Sequence, residues 1–253
     1  MKLRNDKILD FGGGSGIGKA IAKRFCDAGA KVLITGRNEE KLKNAAEEIN
    51  TKNLYYEVFD ITNVNEHIAL FDEASEILGG LNGFVNAAAM GTSQLTGRGY
   101  EPWDITEEEW DALTDINFKA AFFLMRNEID YMLENGIRGN ILNIASNAAC
   151  MDIIGSYGAS KEAIIKWTRS LGKRYGHNGI IINGIAPGAT FTPMIARYAH
   201  DINQKYVRHA IERFIRPDEI AELAFYLMSD YGEIICGHTV VADGGDNAAT
   251  LLE

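Results

Sequence analysis

Tyr157 and Lys161 lie four positions apart in Ser156-Tyr-Gly-Ala-Ser-Lys161, just ahead of the apolar run Glu162-Ala-Ile-Ile-Lys-Trp167. On a helix the two side chains share a face, one turn apart. A free phenol has a pKa of about 10, too high for a useful base near neutral pH, and an ammonium beside it favours the phenolate and lowers that value. The pair can move a proton. Taken alone it could equally be the exposed start of a helix, so the elements around it decide.

Those elements alternate. Residues 8–11, 31–35, 54–59, 83–85, 140–145, 180–185 and 239–241 read as strands. Between them, helical periodicity runs over 17–25, 39–49, 64–78, 106–134, the segment from Tyr157 to near Gly176, and 216–228. Gly29 reads as a helix stop, Asn38 as an N-cap, and Thr106 to Glu109 as a capping box. Strands alternating with helices imply an α/β architecture, a doubly wound parallel sheet of seven strands covered on both faces. With no linker or low-complexity tract, residues 1–253 read as a single domain.

Between the first strand and helix stands Gly12-Gly-Gly-Ser-Gly-Ile-Gly18, with Ser15 and Ile17 set among Gly12, Gly16 and Gly18. Glycines there let the backbone approach a pyrophosphate, and the free N–H groups of the helix start favour its charge. The bland alternative is a plain turn. A carboxylate at the end of the second strand would bind the ribose 2′-hydroxyl of NAD, but that place holds Thr35-Gly36, followed by Arg37. Arginine can pair with a 2′-phosphate, so NADP is favoured, with NAD the alternative if Arg37 is only a solvated charge. Asp60, ahead of Ile61, could accept from an adenine amino group or cap a turn.

The chain has 25 basic and 35 acidic residues, a net charge of −10, which argues against nucleic-acid or anionic-membrane partners. Cys26, Cys150 and Cys236 have no metal-like spacing and suit reduced thiols, so no metal is expected. A polar N-terminus and the lack of a long apolar run lead to the expectation of a cytoplasmic protein.

Further residues fall into the same order: Asn86 after the fourth strand, Asn117 in Asp115-Ile-Asn117, Ser146 after the fifth strand, Asn183 with Pro187-Gly188, Thr192-Pro-Met194, Pro217-Asp-Glu-Ile220 and Asp243-Gly-Gly245. Together with the glycine turn, Asp60 and the Tyr/Lys pair, the set resembles the short-chain dehydrogenase/reductase family, in its single-domain branch, over nearly the whole chain. The resemblance implies a Rossmann-type fold and a hydride-transfer enzyme. It implies Tyr157 as general acid/base, and Lys161 lowering its pKa and binding the nicotinamide ribose. Ser146 would bond the substrate oxygen, and Asn117 would hold a relay water. Pro187, Gly188 and Thr192 would frame the nicotinamide, and Asn86 would line the cofactor site. A structural alternative exists for some of these: Asn117 as a helix-kink residue, Ser146 as a strand-end hydroxyl, Thr192 as a cap.

Several positions depart from the family pattern. Asp10 stands in a central strand, where a carboxylate needs a partner. Phe11 replaces a threonine and Ala87 an asparagine, suggesting an apolar contact between the two in place of a polar one; Ala89 replaces a glycine. Ser146 and Tyr157 are joined by a loop tighter than usual, and the loop over 91–105 is longer than the common form.

The substrate should meet the loop after the fourth strand, the Ser146–Tyr157 loop and a region of about 188–216. Met90, Met151, Ile153, Ile154, Phe191, Met194, Ile195 and Tyr198, with Tyr100 and Trp103 nearby, would suit a secondary alcohol or ketone with an apolar body. Arg98, Glu101 and Arg197 could instead serve a sugar or hydroxy acid. His200 and His209 read as surface helix residues. The alternatives to a carbonyl reductase or alcohol dehydrogenase are an NAD-dependent polyol or sugar dehydrogenase and an inactive dinucleotide-binding sensor or scaffold. The apolar stretch from Phe118 to Met125 fits a homo-oligomer, a dimer or tetramer.

Overall fold

A computed structural model of the protein describes residues 2–4, 6–98, 104–151, 155–196 and 198–247. The strands are β1 (Lys7–Phe11), β2 (Lys31–Gly36), β3 (Leu54–Val58), β4 (Gly83–Asn86), β5 (Asn140–Ile144), β6 (Ile181–Pro187) and β7 (Thr239–Ala242). The main helices are α1 (Gly16–Asp27), α2 (Glu39–Ile49), α3 (His67–Leu78), α4 (Thr92–Thr96), α5 (Glu107–Thr114), α6 (Ala121–Glu134), α7 (Ser156–Tyr175) and α8 (Pro217–Leu227).

The sheet order is β3-β2-β1-β4-β5-β6-β7, every neighbouring pair parallel. After β3 the chain crosses back and enters β4 beside β1, so the connections from β1 and β4 leave in opposite directions. A crevice opens there, over the carboxyl ends of the strands.

Strand periodicity sends alternate residues to opposite faces. Ile8 joins Ile21, Phe25 and Phe225 in the core under α1, α2 and α8. Leu9 and Phe11 join Phe71, Phe84 and Met132 in the core under α3 and α6. There the Phe71 ring lies 5.0 Å from Phe84 and 6.3 Å from Phe11.

The same parity removes the expected contact between Phe11 and Ala87. Phe11 is in register with Asn86, so those two share a face and Ala87 points to the other, into the α1 side. Phe11 packs instead on Phe59 and Phe71, with Ala88 at the same core. Asp10 faces the α1 side, fully buried, and among the described residues neither carboxyl oxygen has a hydrogen-bond partner. Burial pushes its pKa well above the usual carboxylate range, which favours the neutral acid over the paired carboxylate the strand position calls for.

Helix starts follow the sequence. Asn38 accepts from Lys41 N at 2.9 Å, and Thr106 and Glu109 close a reciprocal box at 3.0 and 3.3 Å. The helical run from 106 to 134 is interrupted by a π-helical stretch, Asp115–Ala120, which carries Asn117. Such widened turns cluster at functional sites.

Candidate active site

Tyr157 stands in the first turn of α7, after Gly155, whose φ of +142° is a backbone setting that favours glycine. One turn on, Lys161 is buried and its Nζ donates to the Ile144 carbonyl at 3.0 Å, where β5 ends. That Nζ lies 5.8 Å from the centroid of the Tyr157 ring. Burial pulls the Lys161 ammonium from its ordinary 10.5 down to about 8.

Ser146 opens the 3-10 turn Asn147–Cys150, and its Oγ accepts from Ala148 N at 3.2 Å. Ser146, Tyr157 and Lys161 line one cleft of about 1300 Å³.

That cleft continues to the glycine turn. Gly12 and Gly16 have φ of +100° and +55°, and a Cβ on Gly18 would lie 2.5 Å from the Gly12 carbonyl oxygen. Only glycines leave this turn bare at the N-terminus of α1, which is the fit a pyrophosphate needs. Thr192 closes over it, its side-chain carbons 3.2 and 3.3 Å from where a Gly16 Cβ would stand.

Of the residues expected at the cofactor, Gly12, Ser15, Gly16, Ile17, Gly18, Arg37, Asp60, Ile61, Pro187, Gly188 and Thr192 line the cleft with Tyr157 and Lys161. Asp60 also caps a turn, its Oδ1 accepting from Thr62 N at 3.0 Å and Thr62 Oγ1 at 2.8 Å.

Asn86 and Asn117 are placed differently. Asn86 turns under the sheet, donating to Glu128 Oε2 at 3.1 Å and Asn143 Oδ1 at 2.9 Å. Asn143 in turn donates to Thr168 Oγ1 at 2.9 Å, so a buried polar chain ties β4 and β5 to α6 and α7. Asn117 spends its amide on Met90: Nδ2 donates to the carbonyl at 2.7 Å and Oδ1 accepts from the N–H at 2.9 Å. Its side chain braces the loop after β4.

At the other end Met90, Met151, Met194, Ile195 and Tyr198 line the cleft, as expected. Phe191 does not; it packs in a small core with Phe214. Arg98 pairs with Glu109 at 2.7 Å and is not among the residues that line the cleft. Tyr100, Glu101, Trp103, Ile153, Ile154 and Arg197 lie outside the described residues.

Neither histidine is on a helix. His200 is exposed, but His209 is fully buried, because Gly188 leaves room for its ring: a Cβ there would come 2.9 Å from Nε2. Sequence reading also missed Lys41, Asn147, Tyr206, Arg208 and Asp246 as cleft residues. Lys41 could have been found, one position into the second half of the first turn after the Asn38 cap. Asp246 could not: its partner Asn147 is 99 positions away. Among the described residues no group of three or more His, Cys, Asp or Glu is placed to hold a metal ion. No described helix is long and apolar enough to cross a membrane.

A family model described as enoyl-(acyl carrier protein) reductase matches residues 12–247. The chain belongs to the short-chain dehydrogenase/reductase family. Among its relatives is 2,5-dichloro-2,5-cyclohexadiene-1,4-diol dehydrogenase of Sphingobium indicum, 33% identical over 97% of this chain and 98% of that one. Actinorhodin polyketide ketoreductase with NADPH superposes with a TM-score of 0.84 at 26% identity, over 98% of this chain and 100% of that one. The 3-ketoacyl-(acyl-carrier-protein) reductase of Brucella melitensis, complexed with NADH, gives 0.84 at 26% identity, over 96% and 98%. Short-chain dehydrogenases/reductases bind a nicotinamide cofactor and act on CH–OH and C=O groups, and this chain is an oxidoreductase of that kind.

Proposed function

We propose that the protein moves a hydride between NADP and a secondary alcohol or ketone, with Tyr157 as general acid/base. The observation that carries this reading is the convergence of Tyr157, buried Lys161 and Ser146 on the cleft that also contains the glycine turn.

The nicotinamide supplies the hydride; the chain supplies position and a proton. In the reductive direction the Tyr157 hydroxyl gives its proton to the substrate oxygen, and in the oxidative direction the phenolate takes it. Lys161, fixed on the Ile144 carbonyl, keeps a positive charge beside the phenolate and so stabilises it. Ser146 donates to the same substrate oxygen and stabilises charge developing there. Asn117 acts at one remove, holding Met90 at the cleft wall, while Gly188 and Thr192 frame the nicotinamide end.

NADP is preferred because Arg37 and Lys41 stand together where β2 meets α2, both exposed, both lining the cleft, and neither in an ion pair among the described residues. Two such cations suit a 2′-phosphate. The relative named for a dienediol favours an alcohol as substrate. Residues 1–253 are taken as one catalytic domain, self-associating through the face on which Phe118 and Phe122 are 44% and 39% exposed around Trp167.

The test is Tyr157→Phe. Loss of general acid/base catalysis should lower kcat by about 10²- to 10⁴-fold, while NADPH binding followed by fluorescence changes little. Turnover close to wild type would remove Tyr157 from the reaction. Cofactor binding by the wild type with no turnover across a broad alcohol and ketone panel would favour a sensor.

A further inference from the structure

At the substrate end, three polar side chains from distant parts of the chain meet on the cleft wall. Asn147 Nδ2 donates to Asp246 Oδ2 at 3.0 Å, and Arg208 Nε lies 3.4 Å from Asp246 Oδ1. Asn147 is buried, the Asp246 side chain is only 9% exposed, and that of Arg208 is 52% exposed. All three line the cleft with Ser146 and Tyr157.

The neighbours fix which end of the cleft this is. Burial pushes the Tyr198 phenol up to about 12, with Tyr206 and Tyr157 adding to the rise and Arg208 opposing it. Burial also raises the Tyr206 phenol, with Arg208 opposing the rise and Asp246 adding to it. Asn147 follows Ser146 directly in the turn after β5, and Arg208 Nη2 lies 3.6 Å from Met151 Sδ, so the cluster stands beside Ser146 on the substrate wall.

The chemistry of the cluster narrows the ligand. A carboxylate or phosphate would be drawn to Arg208 but pushed away by the closer-held Asp246, and an ammonium meets the reverse conflict. A lone carbonyl can only accept, so it uses Arg208 but none of the acceptor capacity Asp246 keeps beyond its bonds to Asn147 and Arg208. A hydroxyl does both, donating to Asp246 and accepting from Arg208.

We propose that Asp246, Arg208 and Asn147 form a subsite for a second hydroxyl of the substrate, so that the enzyme prefers a diol or hydroxyketone over an alcohol or ketone with no other polar group. The proposal rests on the oxidoreductase reading above and names its substrate class. A site able to bond a hydroxyl discriminates against an analogue that lacks it, because the analogue forgoes the charge-assisted bonds to Asp246 and Arg208.

The experiment compares oxidation of cyclohexanol with that of cyclohexane-1,2-, 1,3- and 1,4-diols and 4-hydroxycyclohexanecarboxylate, by the full-length protein with NADP and with NAD. At least one diol should exceed cyclohexanol in kcat/KM by about 10- to 100-fold, the loss expected for a hydrogen bond to a charged group. Asp246→Ala and, independently, Asp246→Asn should lower that ratio by about tenfold or more, with cofactor binding and thermal unfolding showing that each variant is folded. A wild-type ratio within about threefold of unity for every diol, a ratio unmoved in both variants, or preference for the carboxylate would overturn the subsite. If no alcohol is oxidised and no matching ketone is reduced although cofactor binds, the oxidoreductase reading itself falls, and the subsite with it.

Discussion

His209 holds Ala189 in place. Its Nε2 accepts from the Ala189 N–H at 3.2 Å, which requires the proton on Nδ1, and that nitrogen lies 2.8 Å from the Arg213 carbonyl it then donates to. Both bonds are met only by the neutral Nδ1–H tautomer. The ring thereby fixes Gly188-Ala189, at the end of the cleft where the nicotinamide is expected.

Removing that brace should act on the cofactor. His209→Leu is expected to raise KM for the cofactor by about tenfold, the worth of one or two buried hydrogen bonds, with a smaller change in kcat. His209→Gln, which can both accept and donate, should recover part of the loss. Steady-state kinetics in varied cofactor checks this, and equal KM values in all three proteins would show that the loop holds without the imidazole.

Asn117 performs the same service for Met90 through two bonds of 2.7 and 2.9 Å. Asn117→Ala should destabilise the protein by about 1–3 kcal/mol, leaving the Met90 main chain short of partners, and lower Tm by about 2–4 °C per kcal/mol. Thermal unfolding by circular dichroism is the measurement. A Tm unchanged within error would mean that water replaces the amide.

Two buried carboxyls make stability depend on pH. Burial pushes Glu128 from its ordinary 4.5 up to about 8 against the opposing donation from Asn86, and raises Asp10 well above 3.8. Above about pH 5 the unfolded chain has lost these protons while the folded one keeps them. Stability is therefore highest at low pH with respect to these groups and falls as pH rises, by about 1.4 kcal/mol per unit for each group still protonated in the fold. For Glu128 the fall ends near pH 8. Glu128→Gln keeps an acceptor for Asn86 and should remove one proton's worth of that slope in urea unfolding at pH 5 to 8. Asp10→Val, which removes a buried acid with no hydrogen-bond partner among the described residues, should raise stability at pH 8 more than at pH 5. Parallel pH profiles for variants and wild type would contradict both assignments.

The cofactor preference can be tested at Arg37 and Lys41. Arg37→Ala should weaken NADPH by about tenfold or more while altering NADH little, since a charge-assisted hydrogen bond to phosphate contributes about 1.5–3 kcal/mol. Lys41→Ala should act in the same sense and more weakly, a point charge lacking the two-point geometry. Fluorescence titration reads both, and equal losses for the two cofactors would favour NAD.

The order of elements is legible along the chain, because strand and helix periodicities, the Asn38 and Thr106 caps and the Gly12/Gly16/Gly18 turn are local properties of consecutive residues. The Tyr157/Lys161 pair was legible for the same reason: four positions on one helix fix which side chains are neighbours. Tertiary structure alone decided what each long-range side chain meets. Register sent Phe11 to the α3 face and Ala87 to the α1 face and turned Asn86 toward Glu128, while helix packing brought Asn117 to Met90. His209 reads as a surface residue in the sequence because nothing local to it reveals the space left by Gly188. Asn147, Arg208 and Asp246 carry no signal at all until the sheet brings the ends of β5 and β7 and the segment before α8 to one wall, since hydrogen bonding depends on distance in space and not along the chain.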